Sequence, residues 1–264
     1  MKKIIALILA LAMVMSMSAG CVCDCDEQIA ALQQEITSLK TQIDEQNQLI
    51  PEETVTEPTV VVEADDTLLA TLTNQVNSGG YDNMYAVAEC EYATESHLKS
   101  VANYASRYGY KELAGVIEDN PNTTGAVMEE LVRYYDYDIY TLVAKSSKAS
   151  ESALIIVANH ASDYGYEEFA GVIEDNPNTT GAVMEELVRN YDYDIYTVVA
   201  ESSKASENAL ITVANYASHY GYENLASVII NNSNKTLKVL QELSKSGDSE
   251  VANLAHKAIE SWNE

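Results

Sequence analysis

Two phrases, Asp136-Tyr137-Asp138-Ile139-Tyr140 and Asp192-Tyr193-Asp194-Ile195-Tyr196, pair carboxylates with phenols. Paired carboxylates can hold a divalent cation, cap a helix or meet a basic partner. The spacing lacks the twelve-residue calcium loop with its central Gly and terminal Glu, so no metal site and no cofactor are expected. An aspartate here can instead accept from the first free N–H groups of a following helix. The tyrosines are more informative, because the chain has 18 of them against a single Phe. A preference for rings that carry a hydroxyl has two explanations. The rings pack at junctions, with each hydroxyl on a backbone group or water, or they stand along one face, mixed with acids, and grip a sugar or a protein. On the second explanation the candidate interface is Tyr137, Asp138, Tyr140, Tyr193, Asp194 and Tyr196.

The remaining reactive side chains form no catalytic set. A general base needs its ring nitrogen at one fixed place, yet His160 takes a position that Tyr104 and Tyr216 fill elsewhere, and His219 one filled by Arg107 and Asp163. Neither a nucleophile elbow, a phosphate loop nor an HExxH phrase is present. An enzyme is therefore not expected. Cys21, Cys23 and Cys25 are one residue apart, which is poor spacing for zinc. Cys90 stands far away, at a position that Ser146 and Ser202 occupy later, and a packing role suffices for it.

Residues 1–20 read as an export signal: Lys2 and Lys3, the apolar run Ile4–Val14, then the small residues Ser16–Gly20. Ser18-Ala19-Gly20-Cys21 resembles the bacterial lipoprotein signal box, although Ser18 stands where Leu is usual. The resemblance implies lipidation of Cys21 (residues 21–26 forming the anchor region) and a mature protein held on the outside of a bacterial membrane; ordinary secretion is the alternative. Ile29, Leu32, Ile36, Leu39, Ile43 and Ile50 follow alternating three- and four-residue steps, with Gln46 in the one vacant place, so residues 27–50 read as a short coiled coil through which the chain could self-associate, or as a solitary spacer helix. Residues 51–66 contain two prolines and several acids and read as an extended linker. The full chain carries 15 basic and 41 acidic side chains; removal of Lys2 and Lys3 leaves 13 − 41 = −28. That balance argues against nucleic acid as a partner and against electrostatic docking on anionic lipid, so contact with the membrane is expected through the lipid alone.

What positions the tyrosines is a repeat. Gly115–Arg133 returns letter for letter as Gly171–Arg189, a step of 56 residues, and copies run over 81–136, 137–192 and 193–248, with a partial copy at 249–264. Within the second copy, apolar residues at helical spacing predict four helices. Asp138 would cap a helix Ile139–Lys145 that buries Tyr140, Val143 and Ala144. Ser150 or a neighbour would start Glu151–Ser162, Gly165 would interrupt, and Glu167–Glu174 would end at Asn176-Pro177-Asn178. Thr179 or Thr180 would cap the fourth helix. The unit is thus two hairpins of roughly 28 residues, each too small to bury its apolar face without neighbours. Thr67–Val76 would form a helix capping the array at its N-terminal end, and Ile259 and Trp262 would close the other.

The phrase Asn120-Pro121-Asn122-Thr123-Thr124 followed by Val127, Met128 and Leu131, repeated at Asn176–Leu187, resembles the bacterial leucine-rich repeat variant family. Val143-Ala144 and Val199-Ala200 are similar to that family's Val-Ala step, while Thr124 and Thr180 stand where Pro is usual. The resemblance implies an all-α, right-handed α-solenoid of short helices over residues 67–264, with no shared enzymatic activity. The expected function is a surface-displayed module that binds an envelope or extracellular protein or a glycan. An inert spacer that oligomerises through residues 27–50 is the alternative.

Overall fold

Each copy contains four helix starts and four stops, and the computed structural model, which describes residues 66–262, uses all of them. The helices are α1 (Asp66–Ser78), α2 (Tyr81–Glu89), α3 (Glu95–Tyr108), α4 (Lys111–Asp119), α5 (Gly125–Leu131), α6 (Tyr137–Lys145), α7 (Glu151–Tyr164), α8 (Glu167–Asp175), α9 (Gly181–Leu187), α10 (Tyr193–Glu201), α11 (Glu207–Tyr220), α12 (Glu223–Asn231), α13 (Leu237–Ser244) and α14 (Ser249–Trp262). The export signal, Cys21, the coiled coil and all of the linker before Asp66 lie outside the described residues.

Most boundaries follow from local chemistry. Ser150 Oγ accepts from Ala153 N and starts α7, and Gly165 at φ 67° ends it in the left-handed conformation that glycine adopts without strain. The cap of α6 is Asp136, not Asp138: the Asp136 carboxylate accepts from Ile139 N at 3.0 Å, which draws Tyr137 and Asp138 into the first turn. Asp192 caps α10 the same way. Thr180 occupies the N-cap position of α9 without a capping bond, while the Thr179 hydroxyl donates back to Ile173 O. Starts at Tyr137, Glu167 and Tyr193 divide a copy into hairpins of 30 and 26 residues rather than two of equal length.

The hairpins stack so that each helix packs on the second one after it in the chain, giving two layers. Nine-residue helices α2, α4, α6, α8, α10 and α12 make one layer, and helices of alternately 14 and 7 or 8 residues (α3, α5, α7, α9, α11, α13) make the other. Between them lies one continuous core of Val, Ala, Leu, Ile and Met. Burial of each larger side chain contributes about 1.5–3 kcal/mol, and no single hairpin could supply both walls. Val116–Leu131 and Val172–Leu187 occupy like surroundings: Ile117 and Ile173, Met128 and Met184, and Leu131 and Leu187 are all fully buried. At the ends, Leu72 is the buried residue of α1, and Val251 and Ala255 anchor α14. Trp262 does not close the terminal face, since it is 45% exposed.

Because the hairpins alternate direction, their turns fall on two opposite edges. One edge is sewn together by side chains. The buried Asn176 Nδ2 donates to Ala144 O at 2.7 Å, at the end of α6, and to Ser146 O at 2.9 Å, in the turn that follows it, and its Oδ1 accepts from Asn178 N. Asn178 Nδ2 donates to Ser147 O and Ala149 O, both at 2.8 Å. One turn later Lys204 Nζ donates to Glu174 O and, at 3.0 Å, to Asn176 O, while Ser202 Oγ donates to the Glu174 carboxylate at 3.0 Å. Asn120, Lys148 and Asn232 repeat these bonds, so every turn from residue 90 to 232 is tied to the next. The half-repeat that lacks Asn-Pro thus substitutes Ser and Lys in the same structural place.

The side chains facing the following turn differ in the third copy. Glu174, Gly181 and Glu185 receive Ser202, the close approach of Ser206 and the Ser206 hydroxyl. Their equivalents are Ile230, Leu237 and Gln241. Residues facing backward, Asn232 and Asn234, are kept and bonded. Copy three therefore carries the backward-facing half of this edge's bonds without the forward-facing half, while α14 still packs on α12 and α13.

Candidate functional site

The second edge is formed by the turns after the 14-residue helices and those leading into the next copy. Here the tyrosines gather. Tyr-Gly-Tyr occurs three times, at residues 108–110, 164–166 and 220–222. Each Gly is the left-handed C-cap of its helix, so the flanking rings leave the helix end together and stack. Ring centroids are 5.8 Å apart for Tyr108–Tyr110, 6.0 Å for Tyr164–Tyr166 and 5.7 Å for Tyr220–Tyr222. From the incoming turn, Tyr135 stacks at 3.8 Å on His160, and Tyr191 at 5.8 Å on Tyr216. Tyr137 packs edge-on to Tyr166, and Tyr193 edge-on to Tyr222. One aromatic cluster therefore recurs per copy.

The candidate residues divide sharply. Tyr137 and Tyr193 are exposed, as are Asp138 and Asp194. Tyr140 and Tyr196 are not on the surface: they are 5% and 1% exposed, and their hydroxyls donate to Val132 O at 2.9 Å and Val188 O at 3.0 Å. Those two rings are core, held by the junction packing that was the first of the two explanations for the tyrosines. The most exposed rings are Tyr191 and Tyr164, at 79% and 65%. Neither was singled out from sequence, although the recurring Tyr-Gly-Tyr was the available signal, because a helix-ending glycine leaves its neighbours projecting from a turn.

Acids line this edge. Tyr137 Oη donates to Glu168 Oε2 at 3.0 Å, and that bond is the main reason its pKa lies above the usual phenol value. Burial, with Tyr166 close by, pushes Tyr135 up to about 12, and burial with Tyr222 does the same for Tyr216. Asp138 is paired with Lys111 at 3.2 Å, both largely exposed, so the bond adds little stability. The positions equivalent to Lys111 and Asp138 hold Glu167 and Asp194, then Glu223 and Glu250, with no base at any of them. The Glu223 carboxyl is raised, chiefly by a hydrogen bond to Glu250.

The histidines are structural neighbours rather than a set. His97 completes the cap of α3 by exchanging bonds with Thr94, His160 sits among Tyr135, Tyr140, Tyr164 and Tyr166, and His219 lies against Tyr220. Desolvation lowers the pKa of His160. Cys90 is the partly buried residue that ends α2. Among the described residues there is no group of three metal-ligating side chains, and no helix is long and apolar enough to cross a membrane. No family model matches the chain, and neither a curated protein nor a solved structure matches it.

Proposed function

We propose that the chain is a surface-displayed binding module: a right-handed helical solenoid akin to the leucine-rich repeat variants, held to a bacterial membrane by lipid on Cys21 and set off from it by residues 27–66. Its partner is a protein whose contact surface carries Lys and Arg. The observation that supports this is recurrence at the surface. Tyr108, Tyr164 and Tyr220 hold the same position in three copies, and all are more than half exposed. Rings of this kind, beside Asp138, Glu168 and Asp194, suit a cationic side chain, which gains from the ring face and from the carboxylate together. A net charge of −28 after removal of residues 1–20 draws such a partner from a distance.

The test is capture from envelope extracts by the full chain and by a Tyr164→Ser/Tyr220→Ser variant, each at low and raised salt. A protein retained by the native chain, released by salt and lost with the variant supports the reading. Capture that ignores the tyrosines refutes this edge, capture of neutral glycan alone refutes the partner class, and no capture at all leaves the chain an inert spacer.

A further inference from the structure

The layer of longer helices carries a surface of different character. In the first copy a groove of about 740 Å3 runs along α3, and Lys99, Ser100, Asn103, Arg107, Tyr108 and Arg133 line it. Lys99, Asn103 and Arg107 are four residues apart and so share one stripe of the helix. Arg133 reaches in beyond the end of α5, which stops at Leu131. Its guanidinium is held at 2.9 Å by Glu130, whose carboxylate also accepts from Asn103 Nδ2 at 3.2 Å. The Arg107 guanidinium lies 5.9 Å from the centre of the Tyr108 ring. Neither Lys99 nor Arg107 joins an ion pair among the described residues. In a chain with 15 bases against 41 acids, a groove that sets Lys99, Arg107 and Arg133 against Glu95 and Glu130 is a local reversal of sign.

The repeat supplies a control for what the scaffold needs. The positions of Lys99, Ser100 and Arg107 hold Ile155, Ile156 and Asp163 in copy two, and Ile211, Thr212 and His219 in copy three. Asn103 and Tyr108 recur as Asn159 and Tyr164, then as Asn215 and Tyr220. The helix therefore forms equally well without the cations, and packing does not account for them.

We propose that this groove binds an acidic oligosaccharide, one whose sugar rings carry carboxylates. Lys99 and Arg107 take the carboxylates by charge-assisted hydrogen bonds. Ser100 and Asn103 meet ring hydroxyls, and Tyr108 offers a face to the ring C–H groups. Glu130 and Glu95 in the wall accept from hydroxyls and disfavour a dense anion such as phosphate or a polyglutamate segment. This site differs from the edge proposed above, although Tyr108 borders both: Lys99 and Arg107, which join no ion pair among the described residues, have no basic counterpart at Ile155, Asp163, Ile211 and His219, whereas the paired Arg133 recurs as Arg189 and Lys245.

The experiment is calorimetric titration of the full chain with oligogalacturonate, with neutral galactose oligomers and polyglutamate as comparison probes. Oligogalacturonate alone should bind. Replacing Lys99→Ile, Ser100→Ile and Arg107→Asp, the residues copy two already carries, should weaken it about tenfold or more with helicity unchanged. Lys99→Gln with Arg107→Gln, a milder pair, should do the same if the first variant folds poorly. Tyr164→Ser/Tyr220→Ser should leave this affinity intact, which separates failure of the groove from failure of the edge. Binding that survives both groove variants, equal binding of the neutral oligomer, preference for polyglutamate or no binding to any probe would each overturn the proposal.

Discussion

Asn176→Ala tests how the stack is held together. The side chain is 3% exposed and makes three bonds. Ala144 O lies in the last turn of α6, where the backbone has no further N–H to offer, so its loss is complete. Ser146 O keeps a bond from Ala149 N at 3.1 Å and loses less. Asn178 N loses its acceptor. A buried group left unpaired costs about 1–3 kcal/mol, and with one full and two partial losses the sum is about 3 kcal/mol. The outer Asn178→Ala removes bonds nearer solvent and should cost about 1 kcal/mol. Urea denaturation followed by circular dichroism measures both. Because stability in such a stack is a sum of unit and interface contributions, the first variant should also broaden or split the transition. Asn176→Asp keeps the acceptor but turns a carboxylate toward two carbonyl oxygens. Its folded-state pKa is then raised, so the penalty is absent below the usual carboxylate range and grows as pH rises through it. Equal, small effects from Asn176→Ala and Asn178→Ala, with a single sharp transition, would refute this account of the edge.

Three further outcomes follow from particular residues. Gly181→Ala should destabilise by about 1–3 kcal/mol, because a Cβ there would lie 2.9 Å from Ser206 Cβ; Gly171→Ala, in mid-helix with nothing within 4 Å, should stabilise by up to about 1 kcal/mol, and the opposite signs are read in one denaturation series. Burial pushes Tyr196 up to about 12 from 10.0, so the stability it confers is full below pH 10 and lost as pH rises toward 12. Tyr196→Phe should flatten that part of the alkaline stability profile while costing about 1 kcal/mol at neutral pH through the bond to Val188 O. On the lipid-anchor reading proposed above, Cys21→Ser should abolish fatty-acid labelling, as measured by metabolic labelling and gel fluorography.

The sequence announces the helices because its breakers are explicit. Gly165, Asn176-Pro177 and the apolar spacing of Leu154, Val157, Ala158 and Ala161 leave little choice of element, and α7 and α8 differ from the expected bounds by one or two residues. The cap of α6 was less legible, since Asp136 and Asp138 are both competent and only the packing of Ile139 and Tyr140 decides between them. Tyr140 shows the limit of reading a face from composition. A phenol on the buried stripe satisfies itself on a carbonyl eight residues back, a bond no local pattern reveals. The edge-joining bonds were hidden for the same reason: they link residues about 30 positions apart, between phrases as unlike as Ser-Ser-Lys and Asn-Pro-Asn.

The asymmetry of the third copy gives the array a direction. Copy two carries both halves of the junction chemistry, the donors that reach back and the acceptors that wait ahead. A further duplicate of it, inserted after itself, would find the same donors and acceptors along the edge sewn by Asn, Ser and Lys, although Asp138 would face Glu167 in place of Lys111. Longer and shorter versions of the stack would thus keep the same bonds along this edge, and the number of aromatic clusters on the other edge would change with its length.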